Sequence, residues 1–154
     1  IEETEAEIIK IIKQNSELKN KYDLVKSVPG IGKITSVALI VYTENFTRFD
    51  NAKQLGSYCG VVPFERSSGT YKGKSKVSIK ANKSLKTLLH LCALSAIRGN
   101  NHFSDYFERK VNEDKKNKMS VLNAVRNKIL KTAFSCVKNQ QKYDRSFTYG
   151  EQAA

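Results

Sequence analysis

Acidic residues are scarce in this chain of 154 residues. Asp and Glu number 15 against 27 Lys and Arg, which gives a formal net charge of +12 at pH 7 and a pI near 9.6. A soluble domain this cationic usually meets a polyanion, and nucleic acid is the default candidate. The length suits one domain with a buried core and room for an appended helix.

Cysteine and histidine are also scarce. Cys59, Cys92 and Cys136 are widely spaced and odd in number, and neither His90 nor His102 stands at a zinc-like spacing from them. We therefore expect reduced, buried thiols in a reducing compartment, and no cofactor or metal site in this chain.

Long apolar runs are missing too. The longest, at residues 37–42 and 88–97, are far too short to span a bilayer. No signal peptide is visible. These absences disfavour a membrane as the partner of the basic surface. The chain starts at Ile1 rather than Met, so we expect it to be part of a longer protein.

What is present predicts a mainly α fold, preceded by a long N-terminal helix over residues 1–26. Apolar residues recur there at alternating spacings of three and four, with one asparagine in the seam: Ile1, Thr4, Ile8, Ile11, Asn15, Leu18, Tyr22 and Val25. A polar seam residue can set the register of a coiled coil, so the helix could drive homo-oligomerisation. The alternative is an amphipathic helix that lies on its own domain.

Residues 24–35 fit a helix-hairpin-helix pattern. Pro29 ends one helix, and the sequence Gly30-Ile31-Gly32 permits a tight turn into the next helix. Backbone N–H groups at such a turn can point at a phosphate, and Lys33 adds a charge. The contact would hold the nucleic-acid backbone without reading bases. The alternative is a helical corner in which Ile31 fills the core.

Residues 63–76 form a basic segment with few strong helix formers, which predicts a loop or a short β-hairpin. It carries two adjacent serines and four cations: Ser67, Ser68, Arg66, Lys72, Lys74 and Lys76. A hydroxyl on a basic loop is suited to meeting a phosphodiester, whereas the plainer interpretation is a solvated turn.

Further helices are predicted at about 52–59, capped by Asp50 or Asn51, and at about 83–98, 104–115 and 120–138. Asn100 and Asn101 are expected to end the helix at 83–98. These elements make residues 27–142 the main domain, and we expect a frayed polar tail at 143–154.

The order of these pieces resembles the C-terminal transposase domain of the IS110/IS116/IS902 family. The resemblance covers residues 24–138 and runs through seven segments: Val28-Pro29-Gly30-Ile31-Gly32, Arg48-Phe49, residues 54–63, Ser67-Ser68-Gly69, Val77-Ser78-Ile79-Lys80-Ala81-Asn82, residues 85–95, and Val125-Arg126-Asn127-Lys128. The family's usual Ile-Ser-Lys-x-Gly-Asn is altered here, with Ile79 in place of lysine and Ala81 in place of glycine.

The resemblance implies a DNA recombinase with a serine nucleophile, which at the matching position is Ser68. It also implies a RuvC-like domain outside this chain that holds Mg²⁺ with carboxylates, and an element-encoded guide RNA. A bacterial cytoplasmic, nucleoid-associated location follows from the same resemblance.

Three functions remain open at this point: the serine-bearing part of a recombinase, a non-catalytic helix-hairpin-helix DNA-binding module, and an assembly module built on the first helix. Serine mutants would separate the first two, and salt dependence would separate the third.

Overall fold

The protein is mainly helical, as predicted. Its computed structural model describes residues 2–62, 67–68, 70–72 and 80–146, with the backbone alone at 67–68 and 71–72. The elements in that part of the chain are α1 (Glu2–Gln14), α2 (Ser16–Lys26), α3 (Lys33–Tyr42), α4 (Ala52–Tyr58), β1 (Ser67–Ser68), β2 (Tyr71–Lys72), α5 (Lys83–Ala96), α6 (His102–Glu108), a π-helical segment (Arg109–Glu113) and α7 (Lys118–Asn139).

The N-terminal segment is two helices, and the prediction of one long helix was wrong. Asn15 adopts an extended backbone (φ −102°, ψ 116°), and its side chain accepts hydrogen bonds from the N–H groups of Glu17 and Leu18 at 3.0 and 3.1 Å. Asparagine readily bonds nearby backbone N–H groups and so favours caps over helix interiors. The polar residue in the seam is therefore a helix boundary.

The core forms where α2, α3, α5 and α7 meet, with α5 packed along α7. Its fully buried large side chains come from α2 through α7 and include Val25, Leu39, Leu55, Leu85, Leu89, Phe103, Ile129 and Leu130. Because Val25 belongs to this core, α2 is an integral part of the helical body.

An apolar groove runs between α1 and α3. Ile12 of α1 is buried, whereas Ile8 and Ile11 are exposed. The groove has a volume of about 590 Å³, and its apolar lining includes Ile34 and Val41. Coiled-coil pairing through α1 stays a prediction.

No helix among the described residues is long and apolar enough to cross a membrane.

Asparagines set the later helix starts. Asn51, rather than Asp50, caps α4 by accepting the N–H of Gln54 at 2.9 Å. Asn101 begins α6 in a capping box with Ser104. The helix predicted from residue 104 thus starts two residues earlier, and it changes to π-helical geometry at Arg109.

Candidate nucleic-acid interface and serine hairpin

The turn between α2 and α3 spans residues 27–32 and is held by short-range bonds. Val28 N–H donates to the carbonyl of Val25 at 3.2 Å, and Ile31 N–H donates to the carbonyl of Val28 at 3.1 Å. The Ile31 side chain is buried in the core. That side chain therefore has the packing role that the alternative interpretation gave it, and any ligand contact at Ile31 would involve its backbone.

Gly30 is required by the fold itself. Its φ is +90°, and a Cβ there would lie 2.3 Å from the carbonyl oxygen of Cys92 and 2.9 Å from the Cβ of Ala96. No side chain fits at that distance from the α5 backbone. The glycine lets the turn pack directly on α5.

In contrast to Gly30, no packing contact within the described chain explains why glycine occupies position 32. Its backbone is extended (φ −95°, ψ −172°), it is exposed, and a Cβ would meet nothing within 4 Å. Neither packing nor backbone conformation demands glycine at this position. A small residue there leaves the backbone open to close approach from outside.

The N-terminus of α3 follows directly. Gly32 supplies no side-chain cap, the first turn contains no acidic residue, and Lys33 is exposed. The first N–H groups of a helix lack intrahelical partners and carry the positive end of its dipole. The turn therefore presents donors and a cation at one place, an arrangement that suits an anion.

Ser68 lies on the first strand of an antiparallel pair. Ser67 pairs with Lys72 and Ser68 with Tyr71, and the strands are two residues long. The predicted cations Arg66, Lys74 and Lys76 lie outside the described residues, as do the side chains of Ser68 and Lys72. Their contact with a phosphodiester stays a prediction.

The two ends of the segment that carries Ser68 are tied together by Tyr58 and Asn82. Asn82 N–H donates to the carbonyl of Tyr58 at 2.8 Å, and its side-chain amide donates to the Tyr58 hydroxyl at 3.1 Å. The side-chain oxygen of Asn82 accepts the N–H of Leu85 at 2.9 Å and so caps α5. We call this pair the Tyr58–Asn82 clamp. It joins the two ends of the segment 59–81.

A cation lies over the aromatic side of the clamp. The guanidinium carbon of Arg48 is 4.8 Å from the ring centroid of Tyr58 and 5.5 Å from that of Phe49. The two rings are 5.2 Å apart. Cation–π contact of this kind favours one position of a long side chain. Arg48 thus adds a positive charge at the base of the serine segment.

The buried thiols of Cys59 and Cys136 do not supply a second nucleophile. Burial raises the pKa of Cys59 to about 12, and burial also raises the pKa of Cys136 to about 11. A protonated buried thiol is a poor nucleophile. Among the described residues, no three His, Cys, Asp or Glu side chains group closely enough to hold a metal ion.

Sequence reasoning missed the clamp and the position of Arg48. Residues 48, 58 and 82 are far apart along the chain, and each was seen only as a turn, a short helix or part of a resemblance. Asn82 directly before a helix is a capping signal, which could have identified one of its three bonds. Its hydrogen bonds to Tyr58 could be identified only from the tertiary structure.

On geometry, the chain is a small helical domain with an uncapped helix start at a glycine turn, a short strand pair that carries Ser68, and a clamp that joins the ends of the segment around it. The comparisons with known proteins give the family. The model of the transposase IS116/IS110/IS902 family matches residues 22–108, and the chain belongs to that family. The match includes both the α2–α3 turn and Ser68.

Relatives in several bacteria are similar over much of the chain. The pilin gene-inverting protein of Moraxella bovis is 25% identical over 146 residues, which are 94% of this chain and 45% of the relative. The IS110 insertion-element protein of Streptomyces coelicolor is 26% identical over 131 residues, 85% of this chain and 32% of the relative. The IS1111A transposase of Coxiella burnetii is 29% identical over 85 residues, 55% of this chain and 22% of the relative. The chain thus spans less than half the length of these relatives.

Proposed function

We propose that this chain is the nucleic-acid-binding, serine-bearing part of an insertion-element recombinase. The observation that carries the proposal is the family match over residues 22–108, since one continuous match contains the glycine turn, the clamp and Ser68. The net charge of +12 supports a polyanionic partner.

The α2–α3 turn would bind a DNA phosphate through its backbone. Gly32 is exposed and unexplained by packing, and the α3 N-terminus beside it is uncapped. A phosphate oxygen could accept hydrogen bonds from the first N–H groups of α3 while Lys33 supplies charge. This contact positions the duplex and reads no sequence. Sequence choice would therefore come from another component, for which we propose a guide RNA.

Ser68 would be the nucleophile. Its Oγ would form a bond to phosphorus while the bond from phosphorus to one sugar oxygen breaks. The hydroxyl proton would leave Oγ, and the departing sugar oxygen would take up a proton. A serine hydroxyl needs activation. Arg66, Lys72, Lys74 and Lys76 would meet the charge that develops on the phosphoryl oxygens.

Activation of Ser68 would require the rest of the protein. The described acidic residues do not fit a metal site, so no step here is assigned to a metal. The family's RuvC-like domain would hold Mg²⁺ outside this chain. We therefore expect no strand cleavage by the purified 154-residue chain. Cleavage by that chain alone would contradict this part of the proposal.

The deciding experiment uses the full-length parent gene in cells and measures donor excision and insertion. We expect Ser68→Ala to abolish recombination while protein level and DNA binding persist. Ser67→Ala is the matched control, one residue away on the same strand, and should retain activity. Recombination by Ser68→Ala would exclude Ser68 as the nucleophile.

The second candidate is a non-catalytic DNA-binding module, which the α2–α3 turn alone would support. In that case Ser68→Ala would weaken binding. Homo-oligomerisation would accompany either function, and the exposed Ile8 and Ile11 of α1 support it. Association through apolar side chains should survive high salt, whereas binding to nucleic acid should fall steeply as salt rises.

A further inference from the structure

A cluster of cations surrounds Tyr106, away from the α2–α3 turn and the serine hairpin in sequence. The ammonium nitrogen of Lys128 lies 4.6 Å from the Tyr106 ring centroid, and the guanidinium carbon of Arg109 lies 5.9 Å from the same centroid. The ring is half-buried in α6, Arg109 begins the π-helical segment, and Lys128 projects from α7. Two elements thus each bring one cation to a ring that a third element carries.

The cations of this cluster act on one another. Burial lowers the pKa of Lys128, and the nearby charges of Lys131, Arg109 and Lys110 lower it further. Lys110 is also paired with Asp114 at 2.6 Å. Like charges held together cost free energy, and a bound anion removes that cost.

The backbone beneath the cluster is unusual. Residues Arg109–Glu113 form a π-helical segment at the end of α6. Single π-helical turns are rare in proteins, and those that do occur are often found at functional sites. Here the π-helical turn carries Arg109, whose guanidinium lies over the same ring as Lys128 of α7.

The cluster adjoins the α2–α3 turn through the C-terminal segment. Tyr143 N–H donates to the hydroxyl oxygen of Ser27, the first residue of the turn, at 2.8 Å. The Tyr143 hydroxyl lies 2.6 Å from Nδ1 of His102. The positive charge of Lys128 in turn lowers the pKa of His102. The two positive regions are therefore neighbours, joined by one tail residue and one histidine.

We propose that Arg109 and Lys128, which lie over the Tyr106 ring, form a second binding site for the phosphodiester backbone of a nucleic acid. Lys110 follows Arg109 in the chain, and Lys131 lies about one turn along α7 from Lys128, so both would add charge to this site. The site would receive phosphates adjacent to those held at the α2–α3 turn. Lys128 is held over the Tyr106 ring, so less side-chain freedom is lost on binding. This site rests on the proposed function for the identity of its ligand.

The test measures binding of the 154-residue chain to a short labelled DNA duplex and to an RNA duplex of the same sequence, by fluorescence anisotropy over a series of salt concentrations. The patch variant is Arg109→Gln with Lys131→Gln. The matched control is Lys13→Gln with Lys19→Gln, which removes the same charge from exposed positions on α1 and α2. A third variant, Lys33→Gln, reports on the turn.

We expect the patch variant to bind about tenfold more weakly and its plot of log K against log salt to lose about 1 to 2 units of slope, since each lost phosphate contact removes about 0.9. The control should change by less than about twofold, because it loses only long-range attraction. A loss with DNA alone, RNA alone or both supports the site and identifies its ligand.

Equal binding by the patch and control variants would overturn the second site. If Lys33→Gln binds the duplexes more weakly in the same series, the α2–α3 turn still binds nucleic acid, and the proposed function stands without the second site. If the wild type binds neither duplex, the nucleic-acid role fails as a whole. Thermal melting checks that each variant is folded. If the double variant unfolds, Lys131→Gln alone replaces it, because this substitution leaves Lys128 and Arg109 on the ring.

Discussion

Asn82 donates two hydrogen bonds to Tyr58, one from its backbone N–H to the carbonyl at 2.8 Å and one from its side-chain amide to the hydroxyl at 3.1 Å. These bonds join the residue at the end of α4 to the residue that caps α5. Ser68 belongs to the segment between these two residues. The clamp therefore joins the cap of α5 to the two ends of the segment that carries the proposed nucleophile.

Tyr58→Phe tests the clamp with the smallest change. The ring keeps its contacts with Phe49 and Arg48, and only the hydroxyl bond to Asn82 is lost. We expect a stability loss of about 1 kcal/mol. Recombination by the full-length parent should fall about tenfold, because small misplacements of a reacting group are costly. Unchanged recombination would show that the side-chain bond does not position the loop.

Asn82→Ala separates positioning from capping when it is compared with Asn117→Ala. Both asparagines cap a helix, α5 and α7 respectively. Asn117→Ala should therefore lose about 1 kcal/mol of stability in urea unfolding. Asn82→Ala should lose about 2 kcal/mol, because it also loses the bond to the Tyr58 hydroxyl. Only Asn82→Ala should also reduce recombination. Equal recombination by the two variants would assign the effect of Asn82 to capping alone.

Gly30→Ala and Gly32→Ala should behave in opposite ways. A methyl group at Gly30 would meet the Cys92 carbonyl at 2.3 Å with φ at +90°, so we expect a loss of about 2–4 kcal/mol in the free energy of unfolding. At Gly32 nothing lies within 4 Å, and the cost should stay below about 1 kcal/mol. Gly32→Ala should nevertheless weaken DNA binding several-fold. Wild-type affinity in Gly32→Ala would argue against backbone contact at this turn.

Asn15→Ala tests the boundary between α1 and α2. Loss of the cap to Glu17 and Leu18 should cost about 1 kcal/mol in urea unfolding. Gln14→Ala is the control, because Gln14 is the exposed residue before Asn15 and does not cap α2. This substitution should change stability by less than about 0.5 kcal/mol. A gain in stability and helix content for Asn15→Ala would mean that one continuous helix is the preferred state.

Acidification should destabilise the fold through His102. Burial lowers the pKa of this imidazole below its ordinary value of 6.5, and the charge of Lys128 lowers it further, against a smaller opposite effect of Asp105. The unfolded chain then binds a proton more readily than the folded chain, so stability rises with pH. It is fully present above 6.5 and declines as the pH falls through that value towards the lower pKa of the folded state.

Urea unfolding at about pH 7.5 and about pH 5.5 measures this effect, a range that avoids most carboxyl titration. His102→Gln should show a smaller pH dependence than the wild type. If the two proteins lose the same stability on acidification, His102 is not the group responsible.

Local chemistry determined the helices and many of their ends. Pro29 and Gly30 mark the α2–α3 turn, and Asn51 was among the expected caps, because a cap or turn depends on bonds within a few residues. The family resemblance rested on the same ordered segments and is confirmed. Asn15 shows the limit of pattern reasoning: its spacing fitted a seam, but its side chain bonds more favourably as a cap.

Tertiary structure decided which distant residues act together. Tyr58 meets Asn82, Gly30 meets Cys92, and Lys128 reaches the ring of Tyr106 only after α4, α5, α6 and α7 pack into one core. Such contacts follow from the directions in which helices leave the core, and no local spacing encodes those directions. The chain's excess of positive charge was evident from composition, but its concentration around Tyr106 was a product of packing.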